Sequence, residues 1–331
     1  MTLSFKSLLK KDLKLMISSK FFILALGSLI LYSCYINFIY VDLDQDTYPV
    51  YVYDPQDRRD LSLDYVKEVN SRSKLEDLCK DGYSVGIDLS SNNPEIYMVS
   101  SGLDTTDNYR ENWAKSILKN DNLNSEPKII GLNSKEMKNR REITAEFLFF
   151  ELSAVEFLGL ASMLFKEKQM GVIRVHGILP VKKTAFVLSK LSLILASDLI
   201  FTILLTVINL GLNEGIKVLP NVLIQASILS MIMSLIGFFC AIRLPDFKQF
   251  SLFYLILAIF ITTPVFLAGQ TNVTWSWINY HPMFHMFAAM KSAYFGVATY
   301  NILYYFICVL VIVLLFLTAQ KTLSREMTKE G

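Results

Sequence analysis

The sequence predicts a polytopic α-helical membrane protein of six transmembrane helices, with a small mixed α/β extracytoplasmic domain inserted between helices 1 and 2. Three observations predict it. The 331 residues are 53% hydrophobic and 19% charged, with a net charge of +2, and the apolar residues gather into runs of the ~20 that a bilayer-spanning helix needs. One stretch, 41–143, has no such run and holds 20 Asp and Glu against 14 Lys and Arg. Lys and Arg crowd the start, the 166–190 loop, the 241–249 turn and the tail, whereas the short connections between them on the other side hold only Lys217 and Lys291. That asymmetry puts both termini in the cytoplasm, which requires an even number of spans.

The elements follow in order. Residues 1–20 read as a cytoplasmic amphipathic helix lying in the interface: at ~100° per residue Phe5, Leu8, Leu9, Leu13, Met16 and Ile17 share one face and Lys10, Lys11 and Lys14 lie opposite, toward anionic headgroups. The first span is 21–40. It lacks the small-x-small site of a cleaved signal, and Tyr32 is too bulky for the lipoprotein box that "LYSC" resembles. In 41–143, strand-like pieces (50–54, 83–89, 94–100) alternate with helix-like pieces (60–70, 73–80, 106–119). About 100 residues suffice for a core of their own, and the single cysteine there, Cys79, allows no internal disulfide. "NRREITAEF" runs as helix into the second span, 144–165. A basic loop at 166–185 follows, then spans at 186–209, 220–242 and 250–269. Residues 270–298 return to the outer side, with short helices dipping into the membrane, Pro282 at a helix start and Trp275, Trp277, Tyr280 and Tyr294 at the boundary. The last span is 299–320, and 321–331 is a cytoplasmic tail.

Catalytic chemistry finds no residues to carry it. No Gly-rich Lys-Ser/Thr phosphate loop is present, so the chain is not an enzyme and does not use ATP by itself. His281 and His285 lack a third metal ligand and the Glu of a zinc-protease motif. Acids inside spans are costly and mark either a polar pathway or a packing hydrogen bond. Glu156 and Asp198 lie near mid-span, with Glu151 nearby. On a regular wheel Glu142, Glu146 and Glu156 share an arc of ~80° and Glu151 points away, which argues against a single carboxylate cage. Phe253, Tyr254 and Phe260 give the fifth span an aromatic face suited to a greasy cargo or to packing.

The segment "KEKQMGVIRVHGILPVKKTAFVLSK", 166–190, carries six basic residues around one acid. Val172, Val175 and Leu179 form an i, i+3, i+7 stripe fit for a groove on a soluble partner, and Gly171 and Pro180 punctuate its ends. Its pattern of Glu167, three residues, Gly171, eight residues, Pro180, nine residues, Lys190 resembles that of ABC-2 type transporter permeases, the membrane subunits of type V ABC exporters. Val172 stands where the family has Thr, and Ser189 where Gly is common. The layout resembles the family from 1 to 320, and 146–190 is similar to permeases of antibiotic export.

The resemblance implies that 166–185 is the coupling-helix loop, with Glu167, Gly171, Val172, Arg174, Val175, Leu179 and Pro180 receiving force from an ATPase. It implies a plasma-membrane exporter, bacterial, of an amphipathic cargo: peptide, drug or lipid. Its partners are a second copy of the chain, meeting along the second and fifth spans, two ATP-binding cassette subunits and membrane lipid, and no nucleic acid. ATP and magnesium belong to the partner subunits. Glu151, Glu156, Asp198, Phe253, Tyr254 and Phe260 are the pathway candidates. Two other readings stay open: a membrane-anchored sensor or immunity protein that binds an extracellular peptide through 41–143, and an ion-translocating protein that uses Glu156 and Asp198.

Overall fold

The computed structural model describes residues 5–40, 49–55, 66–80, 84–91, 94–100, 104–118, 128–132, 135–178, 182–270, 276–296 and 301–328. The chain divides into two compact units. One comprises Met1–Tyr32, Ala145–Leu205 and Val218–Gly331, the other Ser33–Thr144 and Thr206–Lys217.

The helical elements follow in chain order, several of them in long apolar stretches. Helix α1 (Phe5–Ser18) precedes α2 (Phe21–Cys34), which a π-helical segment continues to Tyr40. After the sheet region come α5 (Lys135–Phe150), a second π segment (Glu151–Val155) and α6 (Glu156–Gln169), then the short α7 (Val172–Ile178). Beyond it lie α8 (Lys183–Arg243), α9 (Phe247–Gln270), a 3-10 turn (Ser276–Tyr280), α10 (Pro282–Tyr294) and α11 (Ile302–Met327). Among the described residues, four helical stretches are long and apolar enough to cross a membrane: Phe21–Phe38, Met137–Gln169, Lys183–Arg243 and Ile302–Met327. Phe247–Phe260 is a shorter apolar helix.

Two features differ from the sequence reading. The 210–219 connection, expected as a loop, is helical, so 186–209 and 220–242 merge into one 61-residue element. At 1.5 Å per residue it would extend ~90 Å, three times the hydrocarbon thickness. It breaks at Gly211 (φ 75°, ψ 167°), a conformation that glycine adopts without steric cost. The second difference lies at Glu151–Val155, where the wide i→i+5 turn adds about one residue and rotates everything downstream by roughly 100°. The regular wheel that set Glu151 opposite Glu156 therefore fails at this point.

The second apolar stretch is the inner one. The most hydrophobic part of Met137–Gln169 is 75% buried within the chain, against 11% for that of Ile302–Met327. Phe157 stacks on Phe250 (5.2 Å) and Tyr254 (5.7 Å), and Phe165 meets Phe247 and Phe250 edge-on. Each such pair contributes ~0.5–1.5 kcal/mol beyond its buried area. Gly159 permits a closer approach still, since a Cβ there would lie 2.1 Å from the Phe21 ring. The first helix is partly covered by the chain. Leu8, Asp12 and Met16 form its buried stripe, and Phe5, Leu13 and Ile17 are exposed.

The second unit is built on a five-stranded sheet in the order β2-β1-β3-β4-β5 (Val66–Glu68, Val50–Tyr53, Val85–Asp88, Glu95–Ser100, Lys128–Leu132). Strand β1 runs parallel to β2 and β3, β3 antiparallel to β4, and β4 parallel to β5. Residues alternate between its faces. Val50, Val52, Val85 and Ile87 pack with Ala114 and Ile117 of α4 (Asp104–Ile117). Tyr51, Tyr53 and Tyr97 pack with Leu75 and Leu78 of α3 (Arg72–Cys79). The expected helix at 60–70 is corrected in its described part. Val66–Glu68 is a strand, and the Val69 amide donates to the Val52 carbonyl at 2.8 Å, so pairing with β1 outweighs local preference. Strand β5 had no separate expectation. On β4, burial and then the hydrogen bond to Glu95 push the Tyr97 phenol up to about 12, so at neutral pH it keeps its proton and donates to the Glu95 carboxylate at 2.5 Å.

In the 210–219 segment the Glu214 carboxylate accepts from Lys217 at 2.6 Å and from Arg141. The Lys217 hydrogen bond, with both cations, holds its carboxyl below the usual range. A depressed carboxylate stabilises the fold above its ordinary pKa and ceases to do so as pH falls through its lowered value. The Glu214→Gln variant is expected to lose about 1 kcal/mol at pH 7. That difference from the unsubstituted protein should vanish in strong acid, as thermal unfolding across pH will show.

Candidate functional site

The loop after α6 is shaped by one residue. Gly171 has φ +69° with nothing within 4 Å of the position a Cβ would take, so backbone conformation and not crowding requires glycine there. Its N–H donates to the Lys168 carbonyl at 3.0 Å, which closes α6 with a left-handed turn. Its own carbonyl accepts from Arg174 and Val175, both at 3.1 Å, which opens α7.

Helix α7 has two faces. Ile173 and His176 are buried, with the His176 ring 5.3 Å from that of Phe186. Gly177 lies against the end of α11, where an added Cβ would sit 2.7 Å from the Met327 carbonyl oxygen. Backbone cannot yield as a side-chain tip does, so Gly177→Ala is expected to push α7 off α11. Faster amide exchange over 172–178 than in the unsubstituted protein will report it. The outer face carries Arg174, Val175 and Ile178, with Ile178 88% exposed.

Both ends of this loop are tied to one buried charge cluster. Lys190 Nζ is ion-paired with Glu167 Oε2 at 2.7 Å and Asp12 Oδ1 at 3.0 Å. Lys11 Nζ reaches Glu167 Oε1 at 2.7 Å, and the Ser189 hydroxyl donates to Asp12 Oδ2 at 2.5 Å. The ammonium groups of Lys190 and Lys11 also lie 4.8 and 5.3 Å from the centre of the Phe186 ring. Lys190 and Asp12 are 0% exposed and Glu167 is 1% exposed. Two acids and two bases balance, as buried charges require.

Glu167, which the resemblance placed among the coupling residues, is buried at 1% exposure, and most of the basic side chains of the loop are engaged within the chain. Lys168 donates to the carbonyls of Ile242 (2.9 Å) and Leu244 (2.7 Å) at the end of α8, Lys166 to Ser18, and Lys183 to Ser324. Arg174 and Val175 are exposed and Val172 is half-buried, while Leu179 and Pro180 lie outside the described residues.

Sequence reasoning did not pick out Asp12 and Lys190 as a pair. A signal was present for Asp12, an acid placed i+4 and i−4 from Leu8 and Met16 on an otherwise apolar stripe.

The pathway candidates are distributed differently. Glu151 accepts from Ser28 (2.8 Å) and Tyr32 (3.0 Å), and Asp198 accepts from Ser230 (2.6 Å). The two acids line one small pocket with Phe21, Leu24 and Phe201. The side chain of Glu156 lies outside the described residues. Tyr254 is half-buried on Phe157, whereas Phe253 and Phe260 are exposed on the outer face of α9. Of the expected boundary rings, Trp277 and Tyr280 are exposed but Tyr294 is buried, and Trp275 lies outside the described residues. Among the described residues no three His, Cys, Asp or Glu side chains gather as a metal site.

The family model described as ABC-2 family transporter protein matches residues 19–319. The chain belongs to that family. Comparison with curated proteins and with solved structures returns no significant match. This ABC-2 family chain is therefore a multi-pass membrane protein and a transport permease, of a kind that works with ATP-binding cassette subunits. In it, the Glu and Lys of the loop pattern are the two ends of a clamp.

Proposed function

We propose that the protein is the membrane subunit of an ATP-driven exporter, in which two copies and two ATPase subunits move an amphipathic cargo outward. Six spans are counted by taking α8 as two crossings on either side of Gly211 and α9 as one. The termini and α7 then lie in the cytoplasm, and the sheet unit lies outside. ATP and magnesium bind in the ATPase subunits.

One observation carries the reading. The cluster of Lys190, Glu167, Asp12 and Lys11 fixes the roots of α7 on α1, α6 and α8, while Arg174, Val175 and Ile178 stay exposed. An apolar helix face with one cation, held on a rigid base, suits a groove on a soluble partner. A push on α7 then reaches α6 through Gly171 and α11 through Gly177. Glu151 and Asp198 act as packing anchors held by hydroxyl donors, and the outward face of α9, with Phe253 and Phe260, is offered to cargo or to the second copy.

Sidedness tests this reading. Arg174→Cys should react with a membrane-impermeant maleimide in inside-out vesicles and stay unlabelled in intact cells. Labelling from outside the cell would refute it.

A further inference from the structure

A cleft of about 890 Å³ runs along α11, bounded by Ile232 and Ile236 of α8 and by the start of α10. Its lining changes character from end to end. Tyr280, His281, His285, Asn301 and Tyr304 gather at one end, and Ile236, Val311 and Leu315 line the other. The polar end holds a group in need of a partner: His281 Nδ1 is buried without a hydrogen bond. His281 precedes α10 but makes no side-chain cap. No Asp, Glu, Lys or Arg is among the described lining residues. The polar end is thus an array of imidazole, phenol and amide groups able to donate, with no carboxylate to attract a cation.

The dimensions fit one class of occupant. From Asn301 to Leu315, at 1.5 Å per residue, is ~21 Å. Half of a ~40–45 Å bilayer with its headgroups is the same length. The cleft runs along Ile302–Met327, the least buried of the four membrane-length stretches at 11%. Its volume is of the size that holds a small amphiphile.

We propose that this cleft is a binding site for a phosphate-bearing membrane phospholipid. The phosphate accepts hydrogen bonds from His281 and Asn301, and an acyl chain lies along Ile307, Val311 and Leu315. A phosphate offers acceptors only, which answers an orphaned imidazole nitrogen in its N–H form. The site needs no ATPase and no cargo, so its test stands or falls separately from the exporter reading.

The test uses the full-length protein in nanodiscs doped with photoactivatable, clickable phosphatidylglycerol or with a matched diacylglycerol that lacks phosphate. Crosslinked peptides are mapped. The phosphatidylglycerol probe is expected to label 303–315 and the start of α10 about tenfold more than the diacylglycerol does, the size of one charge-assisted hydrogen bond. Val311→Trp, which fills the cleft from a half-exposed position, should abolish that labelling. His281→Phe keeps the ring beside Trp277 (6.2 Å) and should bring phosphatidylglycerol down to the diacylglycerol level while leaving the latter unchanged. Equal labelling by both probes, labelling indifferent to Val311→Trp, or high-yield disulfide crosslinking of Leu303→Cys between two copies would each overturn the proposal, the last by assigning the cleft to a second chain.

Discussion

Lys190→Met is expected to destabilise the membrane unit by about 3–5 kcal/mol, the cost of removing one partner from a buried ion pair. The methionine fills similar space, so the loss is electrostatic. Asp12 and Glu167 would then share only Lys11, whose side chain is 35% exposed, and one negative charge would stay buried uncompensated. The double variant Asp12→Asn, Lys190→Met leaves the Lys11–Glu167 pair at 2.7 Å neutral and is expected to recover much of the loss. Thermal unfolding of the purified protein, followed by size-exclusion chromatography after heating, measures both. Equal losses in the single and double variants would mean that the cluster acts by packing and not by charge balance.

Ile178→Asp has the second large effect, and it spares the fold. The side chain is 88% exposed, so a carboxylate there desolvates nothing in the isolated chain, and surface changes of this kind stay within ~0.5 kcal/mol. In an assembled exporter the same position would lie in the core of a helix-in-groove contact, where an anchor residue is worth ~2 kcal/mol or more. The ATPase subunit should then bind about thirtyfold more weakly, and ATP-driven export should fall with it while insertion and melting are unchanged. Arg174→Glu, at the rim of the same face, should weaken binding less and make it more salt-dependent.

The membrane class, the apolar helices and the loop pattern were all legible in the sequence, because hydropathy and spacing are local properties. What escaped were effects set by tertiary partners or by irregular backbone. The wheel over 142–156 assumed a uniform helix, and five π-helical residues at Glu151–Val155 changed its phase. The 210–219 segment reads as a connection between spans, yet Glu214 takes hydrogen bonds from Lys217 and Arg141 within helical backbone. The six basic residues of 166–190 looked like a surface for a partner. Four of them, Lys166, Lys168, Lys183 and Lys190, have their ammonium groups on acceptors within the chain, some as distant in sequence as Asp12 and Ser324. Val66–Glu68 was read as helix because its pairing strand lies elsewhere in the sequence. The candidate site was thus half readable. The glycine hinge and the exposed valine came from the pattern, and the clamp beneath them came from long-range pairing.

In the proposed exporter the exposed face of α7 receives the force of an ATP-hydrolysing subunit. The most direct measurement is site-specific photocrosslinking from position 178 in cells that contain the whole transporter. A crosslink to a nucleotide-hydrolysing protein is expected, changing in yield when ATP is depleted and falling in the Arg174→Glu background. A probe at position 178 that captures only lipid or the chain itself, while export continues at its normal rate, would rule out that role for α7.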